Sequence, residues 1–334
     1  MTLALRSTMQ PVTRRVRAYF APVNRTTEAP TVFDPAAFGL FALDTPPEPW
    51  LDLGWITGFQ RWSRTATDAL RSGSRGAPSQ SIRGPLEAEV EFDFREWGKL
   101  QMALAAGSQH MNVLATGTSA TPQPSGGAAI SAVPLLPGST ATELQVGAGN
   151  VALFSVRNII AVDLDYQQQT GYVGTGFAAA YVRNAADVQH NADYVRRVTF
   201  NVGRVSQITA ASLVLAQPLL GGAPTSGASV QRVVAFVDRE GGSFFQEWSA
   251  LFVMEEENGA RICFYYPRLA PWRKGNAGAA EQSENATPIA GTNSALAQIG
   301  LHASFIALPV TDGNDGEQIL CYRSCFPAGS AALY

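Results

Sequence analysis

The stretch that decides the fold is Glu87-Ala-Glu-Val-Glu-Phe-Asp-Phe94, in which carboxylates and apolar residues alternate over four pairs. Successive side chains of a β-strand point to opposite faces, so this alternation predicts a strand with one acidic and one apolar face. The apolar face packs against a core. The acidic face must be solvated or paired with cations, because like charges about 6.6 Å apart along one face repel each other.

The acidic face has two interpretations. It is either the ordinary solvated side of an amphipathic strand, or one part of a sheet that closes across several copies of the chain around a water-filled channel. In the second case each copy adds carboxylates to a negative lining, which repels a polyanion and lets it slide without sticking. The candidate lining residues are Glu87, Glu89, Glu91 and Asp93.

The segments on either side of this strand differ from it. Residues 95–106 have a helical composition that ends at Gly107, which predicts one α-helix with a glycine C-cap. Residues 64–85 consist mostly of Arg, Ser, Gly and Pro, which predicts a long exposed loop that needs a functional explanation. Residues 1–30 carry five arginines and no acid before Glu28, and their lack of apolar periodicity predicts an extended N-terminal arm.

The second half of the chain is predicted to be nearly all β. A Gly/Ser/Thr/Pro-rich stretch at about 115–140, within an insertion at 111–150, is expected to be a linker or a poorly ordered excursion, and 267–295 is expected to be a second long loop. Asn258-Gly259 predicts a tight hairpin, and Asp312-Gly-Asn-Asp-Gly316 predicts another turn. The strand-like runs are 151–156, 159–166, 194–205, 208–217, 230–237, 244–256, 261–266, 297–308 and 318–326.

Composition sets limits on the class of protein. The chain has 334 residues, 46% of them hydrophobic, and a net charge of −3, which is typical of a folded protein. Only 15% of the residues are charged, against about 25% in an average soluble chain, which favours a surface covered by further copies. The three cysteines do not suggest a disulfide framework, and no membrane span or signal peptide is recognised, so a cytosolic protein is expected.

Enzyme motifs are absent. The two lysines lie in Gly98-Lys99-Leu100 and Arg273-Lys274-Gly275, so neither belongs to a P-loop. The three histidines lack the spacing of a local metal site, and Gly241-Gly-Ser-Phe-Phe245 lacks the last glycine of a nucleophile elbow. We therefore expect no catalytic residues, no cofactor and no metal, and hence no enzyme. A jelly-roll enzyme with dispersed acids such as Asp163 and Asp165 stays open.

The order of these elements resembles the bacteriophage major tail tube proteins. The shared features are the N-terminal arm, Leu53-Gly54-Trp55-Ile-Thr-Gly58-Phe59, a long hairpin loop, the strand that runs into one helix (90–106), and antiparallel strands that end in a hairpin pair. The resemblance covers residues 31–110 and 230–327. It implies a β-sandwich or half-barrel with a flanking helix over 95–106, which closes into a barrel lumen across subunits. One domain over 31–327 would follow the arm at 1–30 and precede a tail at 328–334.

The resemblance also implies a function and partners. Six copies would form a ring, and stacked rings would form the tube of a virion tail, assembled in the host cytoplasm, that conducts DNA during ejection without binding it specifically. Partners would be further copies and other tail proteins, namely a terminator, baseplate or tip, sheath or tape measure, and no membrane. Candidate inter-subunit contacts are Arg14, Arg15, Arg17, Arg64, Arg71, Arg75 and Arg83.

A different class of function remains open. The chain could be a non-catalytic β-sandwich that binds carbohydrate or protein, with Trp50, Trp55, Trp62 and Trp272 as an aromatic platform. Such a module would be a stable monomer, whereas a tube protein forms rings or filaments as its concentration rises.

Overall fold

A computed structural model describes residues 13–24, 26–72, 77–117, 129–164, 196–240, 245–257, 259–272, 284–288 and 297–327. The fold is mainly β, as predicted, and every pairing between its strands is antiparallel. Two sheets hold most of the strands, and a two-stranded sheet pairs β15 (Val310–Thr311) with β16 (Gln318–Ile319).

The larger sheet has eight strands in the order β13-β14-β3-β2-β1-β11-β12-β17. These strands are β1 (Thr13–Pro22), β2 (Leu51–Ser72), β3 (Ala77–Phe94), β11 (Trp248–Glu256), β12 (Arg261–Pro271), β13 (Glu284–Pro288), β14 (Ala297–Ala307) and β17 (Tyr322–Phe326).

Six strands of this sheet form a closed barrel within one chain. The closure is the pairing of β12 with β14, in which Leu269, Ala270 and Pro271 lie opposite Ala307, Ile306 and Phe305. The sheet is therefore more than the predicted half-barrel, because its first and last barrel strands meet without a second copy.

Aromatic side chains fill the barrel. Phe92 is fully buried, stacks on Phe305 at 5.8 Å between ring centroids, and contacts Phe252 at 5.4 Å. The apolar residues of 87–94 are all at most 4% exposed. The predicted alternation of this strand is confirmed, and its apolar face points into a packed interior.

The predicted N-terminal arm is wrong for residues 13–22, which form β1 between β2 and β11. Ala18, Tyr19, Phe20 and Ala21 are fully buried. Their outer side is covered by the segment before β2, whose Phe33, Phe41 and Trp50 pack with Tyr19 and Tyr265 in a separate apolar cluster. Because β1 is buried on both faces, its sequence lacks the alternation of a half-exposed strand. Residues 1–12 lie outside the described residues.

The predicted loop at 64–85 is also wrong, because β2 and β3 continue through it as a paired hairpin. Thr65 lies opposite Leu86, and Ser72 lies opposite Ala77 near the end of the hairpin. The pairing of β3 with β14 ends at Glu89, and that of β2 with β1 ends at Ile56. We call residues 63–72 and 77–88 the ribbon, since no third described strand pairs with them.

The predicted helix is confirmed in type but is shorter. Helix α1 spans Lys99–Ala106, and Gly107 ends it with φ of +60°, a conformation that favours glycine. Residues 95–98 connect β3 to it without helical structure. Leu100 and Leu104 belong to the same apolar cluster as the barrel interior. In the described part of the chain, no helix has the length and apolar character needed to cross a bilayer.

The smaller sheet has seven strands, in the order β4-β10-β7-β8-β9-β6 with β5 beside β10. It packs around Leu144, Ile160, Leu213 and Val230, all fully buried. Its strands are β4 (Gln109–Leu114), β5 (Val133–Pro134), β6 (Glu143–Gln145), β7 (Ile159–Asp163), β8 (Val202–Ile208), β9 (Ser212–Leu215) and β10 (Ser229–Arg239). The prediction of a linker at about 115–140 is therefore wrong for β5, which lies within it, and β4 and β6 occupy other parts of the insertion at 111–150. Residues 118–128 lie outside the described residues.

The other local predictions have mixed outcomes. The hairpin at 258–259 is confirmed: β11 pairs with β12 across it, and Gly259 has φ of +85°. The turn at 312–316 joins β15 to β16 as expected. The strand predicted at 151–156 is wrong, because Val151–Leu153 is a 3₁₀ helix. The 267–295 loop is wrong for the end of β12 and for β13, and its other residues beyond 272 lie outside the described residues.

Candidate functional site

The acidic side of β3 lies on the outside of the barrel. Glu87 and Asp93 are about half exposed, with side-chain exposures of 51% and 46%, whereas the Glu89 side chain is 13% exposed. The carboxylates therefore point away from the packed interior of their own chain, and the alternation of the sequence correctly separated the two faces.

Neighbouring strands place a mixed set of side chains beside these carboxylates. On β2, Arg64 lies opposite Glu87 and Trp62 opposite Glu89. On β14, Ser304 lies opposite Glu91 and His302 opposite Asp93. We call this surface, which comprises the outward side chains of Trp62, Arg64, Glu87, Glu89, Glu91, Asp93, His302 and Ser304, the outer face.

Two side chains of the outer face contact its carboxylates. The Nε of Arg64 donates to Oε2 of Glu87 at 2.8 Å, and its Nη2 lies 3.7 Å from Oε1 of Glu89. Nδ1 of His302 lies 3.0 Å from Oδ1 of Asp93. The Arg64 side chain is 73% exposed, so water screens these pairs and they contribute little to stability. Among the described side chains, the outer face thus combines four carboxylates with one arginine.

A groove of about 320 Å³ lies where the ribbon leaves the barrel. Trp62, Ser63, Arg64, Glu87 and Glu89 line it. Trp62 is 41% exposed, which is unusual for so large an apolar side chain. The groove therefore offers an aromatic ring and two carboxylates side by side, a combination that suits a guanidinium group or a sugar.

The predicted contact arginines of the N-terminal segment are in different surroundings. Arg17 lies on β1 and binds within its own chain: its Nε donates to Oδ1 of Asp52 at 3.0 Å and its Nη1 to Oδ1 of Asp44 at 2.7 Å. The hydrogen bond to Asp52 raises the pKa of Arg17 above its already high ordinary value. Arg15 is exposed and lies 5.4 Å from the centre of the Trp55 ring. The side chain of Arg14 lies outside the described residues.

The ribbon arginines follow the strand register. Arg71 lies opposite Pro78 and Arg83 opposite Thr67, and the structure describes their backbone but not their side chains. Arg75 falls at the turn, outside the described residues. Arg64 is thus the one predicted ribbon contact whose side chain the structure places, and it lies at the base.

Sequence reasoning missed a buried polar cluster between α1 and the smaller sheet. Nζ of Lys99 donates to Oδ1 of Asn112 at 2.9 Å and to the carbonyl oxygen of Val198, and it lies 4.6 Å from the Phe236 ring centre. Burial lowers the pKa of Lys99 to about 7. The one available signal was the presence of only two lysines in the chain.

His110 lies in the same cluster. Its Nε2 is 2.7 Å from Oγ1 of Thr199, and the ring is fully buried. Burial, with a further contribution from the charge of Lys99, lowers the pKa of His110 well below its ordinary value. Both groups therefore resist protonation in the folded protein.

The residues proposed for other functions are dispersed. Trp50 is buried, and Trp55 lies under Arg15 and Arg17, so the four tryptophans do not form one open platform. Trp62 and Trp272 are exposed. Asp163 is buried and accepts a hydrogen bond from the backbone N–H of Leu164 at 2.6 Å, and Asp165 lies outside the described residues.

A search of the described ranges for three or more clustered His, Cys, Asp or Glu side chains that could hold a metal ion finds none. Comparison of the chain with protein-family models gives no match, and comparison with curated proteins gives none either.

Proposed function

We propose that this chain is a structural subunit that polymerises, as stacked six-membered rings, into a phage tail tube that conducts DNA. The observation that supports this most directly is the ribbon, which leaves the barrel as a two-stranded hairpin without a third described strand. Two strands alone are marginally stable in water. A ribbon about 30 Å long, at 3.3 Å per residue, therefore has most to gain from a surface on another molecule.

The position of the acidic residues supports the same function. The barrel interior is packed with aromatic side chains, so a channel would have to lie between copies of the chain and outside each barrel. The carboxylates of the outer face lie on that outer side of the barrel, and in the proposal they form the lining. A lining of this charge repels the phosphates of DNA and keeps the DNA from adhering during passage.

In this proposal the protein is non-catalytic and binds further copies of itself. Other tail proteins would contact the ends and the outside of the tube, the site of action would be the virion tail, and assembly would occur in the host cytoplasm. The smaller sheet, which includes much of the segment 111–150 that the sequence predicted as an insertion, would add material to each ring.

Electron microscopy of the purified protein over a concentration series, with light scattering alongside, tests the proposal. We expect rings or tubes with a central hole, and scattering that rises steeply with concentration. A ribbonless variant serves as the control: Asn-Gly replaces residues 66–85 and joins Thr65 to Leu86, which already lie opposite each other. This variant should keep the barrel and lose assembly.

One observation favours a different function, namely the exposed Trp62 beside Glu87 and Glu89 in the groove. An aromatic ring next to carboxylates is also suited to carbohydrate. A clean monomer at every concentration, together with a thermal shift on adding oligosaccharides that is lost in Trp62→Ala, would overturn the tube proposal in favour of a binding module.

A further inference from the structure

A second groove, of about 550 Å³, lies where several elements end. It is lined by the C-terminus of α1, by the residue after β10, by residues just before β11 and by the end of β12. A Cβ at Gly107 would lie 3.0 Å from Cβ of Pro271, so the end of the helix closely contacts the end of β12. Every residue that lines this groove belongs to the described part of the chain. We call it the aromatic groove.

Two large aromatic side chains line the aromatic groove and are exposed to water. Phe245 is 52% exposed and Trp272 is 44% exposed. The backbone of Trp272 is held in place, since its N–H donates to the carbonyl oxygen of Ser304 at 2.8 Å. Rings of this size bury a large apolar area when they are covered, so the groove offers two aromatic surfaces to a ligand.

A buried glutamine adds a hydrogen-bond acceptor to the groove. Gln246 is 4% exposed, and its Nε2 donates to the carbonyl oxygens of Val23 at 3.1 Å and Glu247 at 2.6 Å. These two bonds use both amide hydrogens and leave Oε1, an acceptor, for a ligand. Glu240, which is exposed, adds a carboxylate to the lining. Apart from the indole N–H of Trp272, the polar side-chain atoms that remain along the groove are therefore acceptors.

The end of α1 favours the same kind of ligand. The carbonyl end of a helix carries a partial negative charge of about half an electron, and the last turn of α1 contains no basic side chain. Sugar hydroxyls both donate and accept hydrogen bonds, whereas a guanidinium group has five N–H donors and no acceptor. Acceptors and aromatic rings at a negative helix end are thus better matched by a guanidinium than by a sugar.

We propose that the aromatic groove binds an arginine side chain of a partner protein. The flat guanidinium lies against the rings of Phe245 and Trp272, and its N–H groups donate to the Glu240 carboxylate and to Oε1 of Gln246. The apolar stem of the arginine covers the small side chains at the end of α1. The aromatic groove shares no residue with the ribbon or the outer face, so this site does not depend on the proposed function.

A blocked peptide, acetyl-Gly-Arg-Gly-amide, tests the site. Its affinity for the full chain is measured by saturation-transfer NMR over a ligand titration, and a dissociation constant of about 1 mM is expected for one side chain. The matched control peptide carries citrulline, which replaces the guanidinium by an uncharged urea group of nearly the same shape. It should bind at least about tenfold more weakly, because it loses the charge-assisted hydrogen bonds.

Variants of the chain locate the binding. Trp272→Leu keeps an apolar side chain but removes the aromatic face, and it should weaken binding of the arginine peptide about fivefold. Glu240→Gln should weaken it about threefold. The control is Trp97→Leu, since Trp97 is 45% exposed but lies outside the groove, and binding should be unchanged. Circular dichroism and thermal unfolding check that each variant folds.

Three results would overturn the site. One is equal affinity for the arginine and citrulline peptides, and another is unchanged affinity in a folded Trp272→Leu variant. The third is a lack of binding at about 10 mM arginine peptide. Binding of an oligosaccharide in place of the peptide, lost in Trp272→Leu, would assign the aromatic groove to carbohydrate instead. Assembly is not a readout here, so this site and the tube proposal stand or fall separately.

Discussion

The inner and outer parts of strands β2 and β3 lie in opposite environments. Inside the barrel, β1 and β14 flank the pair and Phe92 and Phe94 bury completely or nearly so. In the ribbon the same two strands have no third described strand, and Leu86 is 53% exposed. The antiparallel pairing continues from one part into the other. Backbone pairing alone therefore does not tell which part stabilises the fold.

The difference between them is the burial of side chains. Removing apolar surface from water stabilises a fold by about 25 cal/mol per Å², and the barrel part buries large aromatic rings. The ribbon part keeps its described side chains largely in water. We infer that the barrel part carries stability and the ribbon part carries association, and the following changes probe that division.

Phe92→Ala should have the largest effect on folding. It removes a fully buried ring that contacts Phe94, Phe252 and Phe305, and the cavity should lower the free energy of unfolding by about 3–5 kcal/mol. Urea denaturation measures the loss. Leu86→Ala, on the same strand but in the ribbon, is the control and should cost less than about 0.5 kcal/mol. Equal losses for the two would contradict the division.

Lys99→Met should change how stability depends on pH. The folded pKa of Lys99 is about 7 against an ordinary 10.5, so between these values the unfolded chain binds a proton that the folded chain does not. Stability should therefore rise from pH 7 to pH 9, by up to about 1.4 kcal/mol per pH unit, and fall as pH returns to 7.

The methionine variant should lose this pH dependence. The difference between the two proteins in free energy of unfolding should therefore change by about 2 kcal/mol from pH 7 to pH 9. Urea denaturation at several pH values measures it. The range from pH 7 to pH 9 lies above the ordinary pKa of histidine, so His110 does not contribute to this pH dependence of stability. Parallel curves for the two proteins would show that the buried amine does not set the pH response.

Arg17→Met should have an intermediate effect. The change removes the ion pair that ties β1 to Asp52 on β2 and leaves a partly buried carboxylate without it, at a cost of about 1–3 kcal/mol. Arg15→Met, two residues earlier and exposed above Trp55, is the matched control and should cost less than about 1 kcal/mol. Thermal unfolding of both variants measures the contrast; a larger loss for Arg15→Met would be inconsistent with it.

Arg64→Ala should have the smallest effect on folding. Its ion pairs with Glu87 and Glu89 are exposed to water, so the free energy of unfolding should change by less than about 0.5 kcal/mol. Urea denaturation at low protein concentration measures this. A loss above about 1 kcal/mol would mean that the ribbon base contributes to folding as the barrel does.

Prediction from sequence succeeded where one face of an element is buried and the other is not. The alternation over 87–94 predicted both the strand and the direction of its carboxylates, and these residues form most of the outer face. It failed for β1, whose Ala18-Tyr-Phe-Ala21 run is buried on both sides and shows no period. It also failed for the ribbon, whose sequence is rich in Ser, Gly, Thr and Arg and shows no apolar period.

The side chains that lie beside these carboxylates were less predictable from the sequence than the carboxylates themselves. Arg64 and Trp62 reach them through the register of β2, and His302 through β14, more than 200 residues away in the chain. The polar cluster around Lys99 was not anticipated either. A lysine at a helix start is usually solvated, and its burial here depends on Val198, in the helical segment Arg196–Phe200 before β8, and on Phe236 of the smaller sheet.

The sequence by itself determined the local features: the two faces of residues 87–94, the hairpin turn at 258–259, and the end of α1 at Gly107. Each follows from side-chain direction or backbone freedom over a few residues. Only the tertiary structure decided which strands are neighbours, that three residue pairs close the barrel, and that the ribbon has no third described strand. Those outcomes depend on the summed burial of segments far apart in the chain, which no local pattern encodes.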